Sequence, residues 1–422
     1  NDVWTELADQ LPATEFAGYE EESIEGAHVL AIVVNGERVA SAENAAEAFV
    51  VLDRTPLYAE MGGQLGDHGL IDTADAQFFV SNTVSKGGLY VHEGKLIGKL
   101  SEGDTVFAGY DLNRRGLLAR NHTATHLLDA ALKEVLGDHV NQAGSLVSPE
   151  ALRFDFTHFE AMTSEQIRAV EDLVNEQILA AKPVVTRVMG IEEAKASGAV
   201  ALFGEKYGDT VRVVSIGAED EPFSRELCGG THAANTAELG LFKIVSESST
   251  GSNVRRIEAV TSTGAIAYLE QRAALAESAA AQLKCRIEEV PARISSLQAE
   301  LRESNQKLKR ALTGGGSDAI SSAIENAQDM GGYKLVVAEL AGLEASDLRN
   351  VWDTIRQKVS GACACVLATV TEKGTPALIA AATDDAASAG FHAGNVIKQI
   401  APLVDGRGGG KPTMAQAGGK DA

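Results

Sequence analysis

The chain has 422 residues, 45% of them hydrophobic and 23% charged, a globular balance that excludes a disordered or fibrous protein and leaves room for two to four cored domains. A formal net charge of −22 excludes indiscriminate polyanion binding, because so acidic a surface repels phosphate at long range; any nucleic-acid contact must be local. No window reaches the roughly 18 apolar residues of a membrane helix, no signal peptide opens the chain, and its four cysteines lack a framework spacing. The expectation is a soluble cytoplasmic protein, with no membrane association, whose Cys285, Cys363 and Cys365 are reduced, partly buried thiols. The first residue is Asn1, and the last stretch, Gly418-Gly419-Lys420-Asp421-Ala422, is polar and glycine-rich with no closing strand or helix, so we expect an excised piece.

Residues 1–112 read as β-rich. His28 to Val34 forms an apolar run into Asn35-Gly36, a strong hairpin signal, and Glu37 to Ala40 returns from it. Further runs at Ala48 to Leu52, Phe78 to Val80, Leu89 to Val91 and Thr105 to Phe107 make a small β-barrel the natural solution. Between two of them lies Thr55 to Asp67, whose glycines permit close backbone approach to a partner. Residues 113–263 alternate helix and strand, as an α+β domain does. A helix is predicted from Ala119 to Leu136, closed by Gly137; Thr163 and Gln166 make a capping box ahead of Ile167, Val170, Val174 and Ile178 on one face. Strands are predicted at Arg153 to Phe156, Val184 to Met189 and Val211 to Ile216.

Within the linker 264–316, glycine disappears after Gly264 until about residue 312, and alanine, glutamate, glutamine, lysine and leucine dominate. Val290, Ile294, Leu297, Leu301, Leu308 and Ala311 fit a heptad with Pro291 interrupting or opening the second helix, which predicts an antiparallel helical hairpin ended by a flexible joint at Gly314-Gly315-Gly316. Residues 317–422 predict a compact α/β domain: strand Lys334 to Glu339, helix Asp347 to Val359, strands Cys363 to Val370 and Ala377 to Ala382, and helix Asn395 to Val404. Its closing Gly406-Arg407-Gly408-Gly409-Gly410-Lys411 reads either as a phosphate-binding loop or as a flexible tail. The fold class is therefore multidomain α+β: small β-barrel, α+β domain, helical linker and C-terminal α/β domain. Local basic spots are Arg114, Arg115 and Arg120; Arg255 and Arg256; Lys307, Lys309 and Arg310; and Arg407, Lys411 and Lys420.

The chemistry concentrates in two short segments. His122-Thr123-Ala124-Thr125-His126 sets two imidazoles four residues apart on a predicted helix, on one face and within reach of one cation. Cys228-Gly229-Gly230-Thr231-His232 adds a thiolate and an imidazole on a glycine-rich turn, completing a ligand set that zinc favours. The halves are far apart in sequence, so the site must be assembled by tertiary folding and is not a small zinc finger. Thr123 stands where a zinc protease would carry its glutamate base, which disfavours peptidase chemistry. His139 and His158 are assigned to structure or surface.

Arg120 to His126, Gly144-Ser145-Leu146-Val147, Leu152 to Phe156, Ala201 to Tyr207, Leu227 to His232 and Val254 to Glu258 together resemble the editing domain of the alanyl-tRNA synthetase family. Residues 55–67 look like that family's glycine-rich barrel segment, departing from it at Leu57 and Met61, and residues 406–419 are similar to the end of its C-terminal DHHA1-type module. What the resemblance implies is an enzyme attaching alanine to tRNA(Ala) with ATP and Mg2+, through an aminoacylation domain N-terminal to residue 1, since no class II motif is found here. It further implies hydrolysis of Ser-tRNA(Ala) and Gly-tRNA(Ala) by this portion. A pocket for alanine cannot strongly exclude a slightly larger or smaller amino acid, so a second sieve is physically motivated.

By the same resemblance one Zn2+ is held by His122, His126, Cys228 and His232, either activating water or orienting the aminoacylated 3′ end. Thr125 and Gln142 look like groups that recognise serine and position the water or ester, and Arg255, Arg256, Arg407 and Lys411 like tRNA contacts. The C-terminal region is a candidate for homodimer formation. A free-standing editing hydrolase, a threonyl-type editing domain and a non-catalytic RNA-binding module with structural zinc are the alternatives.

Overall fold

A computed structural model of the chain describes residues 3–201, 208–371 and 373–421, and the side chains of these except at 307–317. Of the motif at 201–207 only Ala201 falls within the described residues, and the side chains of Lys307, Leu308, Lys309, Arg310 and Ala311 lie outside them. The fold is mixed α+β and divides into two compact units, residues 1–275 and 276–422.

The first unit opens with a helix the sequence reading did not anticipate, Val3–Gln10, whose Leu7 packs with Val33, Val51 and Val91. A sheet then curls on itself. Strands Ser23–Val34, Ala48–Leu52, Leu89–Ser101, Ala76–Lys86 and Gly69–Asp72 pair in that order, and Thr105–Tyr110 pairs with both Gly69–Asp72 and Ser23–Val34, so these six strands close a barrel. Every strand of that ring has a hydrogen-bonded neighbour on each side within it. Leu57, Ile71, Phe78, Leu96 and Val106 fill its interior. The predicted hairpin is present, with Val34 opposite Glu37 and both Asn35 and Gly36 at positive φ.

Beyond the barrel runs the helix Leu112–Leu136, started by Asp111, whose carboxylate accepts from the amides of Asn113 and Arg114. Leu127, Leu128, Ala131 and Leu132 of this helix pack on Phe154 and Phe156, and on Val170, Val174 and Ile178 of the helix Ser164–Leu179. The capping box predicted at Thr163 and Gln166 is formed. Two antiparallel sheets complete the unit. One orders Gln142–Val147, Leu152–Thr157, Val254–Thr261 and Phe242–Gly251; the other orders Val184–Gly190, Thr210–Gly217 and Pro222–Leu227.

Residues 55–67 join barrel to helix. Gly63, at positive φ, lies so close to the strand Gln142–Val147 that a Cβ there would sit 2.5 Å from the Ser145 carbonyl oxygen; this is the close approach expected of the segment. Asp67, 1% exposed, pairs with Arg115: Arg115 Nε donates to Asp67 Oδ2 at 2.9 Å, and Nη2 contacts the same oxygen. Nη1 and Nη2 also donate to the carbonyls of Gly18 and Pro56, at 2.7 and 2.9 Å, and the cation lies over the Tyr110 ring. The Tyr58 amide completes the carboxylate's shell.

In the second unit the helix Val290–Glu325 has Pro291 in its first turn and runs unbroken through 314–316, so the expected joint is helical backbone. Three successive glycines lower helix propensity but leave the i to i−4 hydrogen bonds available. Ile294, Leu297 and Leu301 of the heptad are exposed. A six-stranded sheet follows, ordered Gln328–Asp329, Lys334–Glu339, Cys363–Val370, Pro376–Ala382, Met414–Gly418 and Arg407–Lys411. Lys334–Glu339 and Cys363–Val370 are parallel, connected through the helix Asp347–Lys358; the other pairings are antiparallel. Cys363, Cys365 and Leu367 face one cluster with Trp352 and Ile355, while Ala364 and Ala380 face another with Phe391 and Ile397. Residues 407–411 are thus neither loop nor tail but an edge strand, and 414–418 is the closing strand that the sequence reading denied. The glycines pass because a hairpin partner supplies the hydrogen bonds that propensity alone would not earn.

Removing Asp67 strands a buried guanidinium. Asp67→Ala should cost about 3–5 kcal/mol in the denaturant transition of the first unit; a midpoint equal to that of the unmodified protein would show that the pair is not structurally important.

Candidate metal centre

His122 and His126 occupy one face of the helix Leu112–Leu136, their rings stacked with centroids 5.3 Å apart. Cys228 follows directly on the strand Pro222–Leu227, and the turn through Gly229 and Gly230 brings His232 back toward the helix. The ligand atoms of His122, His126, Cys228 and His232 all lie within 4.8 Å of one another. Cys228 Sγ is 3.5 Å from His122 Nε2 and 3.3 Å from His232 Nε2. The turn needs glycine for space: a Cβ on Gly230 would sit 2.0 Å from His122 Cε1.

The groups behind the ligands decide which nitrogen each ring turns inward. Gln64 Oε1 accepts from the Thr231 amide at 2.9 Å, a donor that cannot reverse its role, so the carboxamide orientation is fixed. His122 Nδ1, 2.7 Å from that same oxygen, must then carry its proton, which leaves Nε2 with a free lone pair facing Cys228. Gln64 Nε2 donates to Thr231 Oγ1 at 2.8 Å. Glu226 Oε2 lies 3.0 Å from His126 Nδ1, an ion-pair contact without hydrogen-bond alignment that electrostatically favours a proton on that nitrogen. Thr123 Oγ1 takes the Ala233 amide and sits 3.1 Å from His232 Nδ1. A carboxamide, a carboxylate and a hydroxyl thus stand behind three imidazoles, the arrangement metal-ligating histidines use.

The electrostatics agree with a cation-binding cluster. Burial pushes the Cys228 thiol up, yet the adjoining His122, His232 and His126 outweigh it and hold it well below the usual thiol range. Burial drives His232 down to about 3, so that ring is neutral near pH 7. At His126, burial acts in the same downward sense but Glu226 and Cys228 overcome it. Three imidazoles and a thiolate are a donor set suited to tetrahedral Zn2+.

Of these side chains, His122, His126 and Cys228 line one wall of a cleft of about 350 Å³. Thr125 and Gln142 line it with Tyr58, Ser145 and Arg212. Thr125 Oγ1 donates its proton to the Asn121 carbonyl at 2.8 Å, which leaves acceptor lone pairs. Gln142 Nε2 donates to Ser145 Oγ at 3.3 Å. Arg212 donates to the carbonyls of Cys228 and Gly230, at 3.1 and 2.6 Å, and its guanidinium covers the Tyr19 ring, whose hydroxyl reaches the Gly229 carbonyl. Sequence reasoning missed Gln64, Glu226, Arg212 and Tyr19. For Gln64 a signal existed in its glycine-rich surroundings; the other three have none.

The basic residues fall elsewhere. Arg255 pairs with Glu247 at 2.5 and 2.8 Å, and Arg256 with Asp155 at 2.7 and 2.8 Å, so both are committed to carboxylates and neither lines the cleft. Arg407 and Lys411 are exposed at the two ends of the edge strand of the second unit. Cys363 and Cys365 are free and buried, and Cys285 is half-buried.

Three family profiles match the chain: tRNA synthetases class II (A) over residues 1–114, the threonyl and alanyl tRNA synthetase second additional domain over 211–258, and the DHHA1 domain over 332–422. These matches place the chain with the class II aminoacyl-tRNA synthetases, and the class II match covers the barrel, where no class II motif is read. The second profile contains Cys228 and His232. Among curated relatives, the alanine–tRNA ligase of Parvibaculum lavamentivorans is 45% identical over the whole chain and 48% of its own length, and that of Acetivibrio thermocellus is 45% identical over the whole chain and 47% of its own. The chain belongs to the alanyl-tRNA synthetase family and spans about half the length of the curated relatives it matches. The C-Ala domain of Aquifex aeolicus alanyl-tRNA synthetase aligns over 22% of this chain and 82% of its own, at 23% identity and a TM-score of 0.20, too slight a likeness to build on.

Gln64→Leu and Gly230→Ala should each weaken Zn2+ binding. For Gln64→Leu the loss is about 10–100-fold, read by competition with a chromophoric chelator. Unchanged affinity in both variants would refute the assigned role of the groups behind the ligands.

Proposed function

We propose that this chain is the proofreading portion of an alanine–tRNA ligase and hydrolyses the ester of tRNA(Ala) wrongly charged with serine or glycine. The observation that carries this reading is the convergence of three imidazoles and one thiolate, of which His122, His126 and Cys228 line a cleft that also holds Thr125 and Gln142. We further propose the division 1–112 barrel, 113–263 editing domain, 264–316 linker and 317–422 tRNA-binding module. Activation of alanine with ATP and Mg2+ is left to the part of such ligases outside the matched half.

Under this reading His122, His126, Cys228 and His232 hold one Zn2+, which when bound supplies Lewis-acid polarisation of an ester or water oxygen, or a fixed anchor for the 3′ end. Gln64 and Glu226 keep protons on the outer nitrogens of His122 and His126, so that those rings turn lone pairs inward. Thr125, its own proton given to Asn121, accepts from the hydroxyl of an esterified serine. Gln142, with Nε2 on Ser145, turns Oε1 to the ester or its attacking water. The C-terminal module contributes Arg407 and Lys411, and Arg255 and Arg256 stay carboxylate-paired unless RNA displaces those partners.

The test is deacylation of Ser-tRNA(Ala) and Gly-tRNA(Ala). Cys228→Ala should abolish both; Ser-tRNA loss that continues unchanged without zinc would sink the reading and leave the structural-zinc alternative. Thr125→Val should lower kcat/KM for serine roughly 5- to 100-fold, the effect of one unmade buried hydrogen bond, and spare glycine, which has no hydroxyl. For the second unit, joint replacement of Arg407 and Lys411 by alanine should weaken tRNA(Ala) binding and flatten its log–log salt slope by up to roughly 2, about 0.9 per phosphate lost. An unaltered slope would remove both residues from the interface.

A further inference from the structure

Outside the metal cleft, the first unit carries a pile of rings that begins in the core and ends in solvent. Phe154 stacks with Phe156 at 6.2 Å between centroids and 18° between planes, and Phe156 with His158 at 6.4 Å and 29°. His158 stacks with His139 at 5.1 Å and 23°, and His139 with Phe159 at 5.1 Å and 22°. The inner members are fully buried, whereas Phe159, which closes the pile, is 74% exposed. A phenylalanine on a polar bend has no need to lie flat on a histidine. Here its ring does, and its outer face is left open.

The platform is rigidly built. His139 Nε2 and His158 Nδ1 are 2.8 Å apart. The His139 carbonyl accepts from Thr157 Oγ1 at 2.6 Å and from Asn141 Nδ2 at 3.1 Å, and the His158 amide donates to Asn253. Beneath the surface ring, His158 Nε2 is buried with no hydrogen-bond partner among the described residues. The segment that carries His139 runs directly into the strand whose Gln142 and Ser145 line the metal cleft.

We propose that Phe159, backed by His139 and His158, is a stacking platform for an unpaired RNA base near the end of the bound tRNA. This rests on the tRNA-binding reading above. A flat aromatic ligand is the shape that continues a pile of near-parallel rings, and base stacking on protein aromatics is sequence-tolerant, requiring a π face rather than a hydrogen-bond code. Phosphate is a poor occupant: burial and the adjacent His139 hold His158 below the ordinary histidine range, Glu160 and Glu247 lie close by, and the one neighbouring cation, Arg255, is already paired with Glu247. The chain's net charge of −22 likewise favours capture of RNA by a base face, which bears no charge.

The test compares tRNA(Ala) affinity of the full chain with that of Phe159→Ala, Phe159→Leu and Phe159→Trp, using zinc content to verify the fold. Alanine and leucine should weaken binding roughly 5- to 100-fold, the range for one lost stacked base, while tryptophan keeps it and adds emission that tRNA quenches. Full affinity in the alanine or leucine variant, or emission indifferent to tRNA, would overturn the platform. So would a change in sedimentation of the alanine variant without any change in tRNA affinity, which marks the ring as a protein contact. If the unmodified chain itself binds no tRNA(Ala), the partner reading fails together with this one; if it binds and only the Phe159 variants are neutral, the platform alone fails.

Discussion

The buried pairing of Asp67 with Arg115 fixes where the histidine helix begins relative to the barrel, and the metal centre inherits that placement. Both charges are out of water, and the guanidinium also donates to two carbonyls of the barrel side, those of Gly18 and Pro56. A buried ion pair of this kind adds little net stability over an apolar substitute, since desolvation consumes most of the attraction. What it does is specify: a helix rotated by one residue would leave a carboxylate and a guanidinium unpaired in the core. With the helix phase set, His122 and His126 face the turn at Cys228, and Gln64, three residues from Asp67, reaches His122 and the Thr231 amide of that turn.

The centre is then a problem of proton placement as much as of distance. Neutral imidazole has one lone pair, and a ring turned the wrong way presents a proton where a cation should sit. Gln64 solves this for His122 through a donor of fixed sense, the Thr231 amide, so that one backbone N–H on the cysteine turn dictates the tautomer of a histidine on the helix. Barrel, helix and turn thus meet at a single carboxamide oxygen. This accounts for a barrel-derived side chain being fully buried in a site whose other members come from the α+β part of the unit.

Much of this was legible in the residues. Apolar runs and Asn35-Gly36 marked the barrel strands; Thr163 with Gln166 marked a helix start; the spacing of His122 and His126 and the glycines around Cys228 marked the side chains that converge. What escaped did so for physical reasons. The strands Gln142–Val147, Pro222–Leu227 and Phe242–Gly251 are rich in serine, glycine and glutamate and owe their conformation to neighbours in the sheet rather than to propensity. Glu226 and Arg212 are ordinary charged residues in strands, and only tertiary folding shows that one backs His126 while the other ties down the turn. The glycines at 408–410 read as a loop because a hairpin partner at 414–418 was not recognised.

That hairpin has one more consequence. A six-stranded open sheet has two edges, and an exposed edge invites pairing with another chain. One edge here is the strand Gln328–Asp329, only two residues long. The other, Arg407–Lys411, offers a stranger's strand nothing but three glycines between two cations, with no side chain to pack against and like charges at both ends. The same composition that makes this segment look unstructured protects the sheet from growing into a neighbouring molecule.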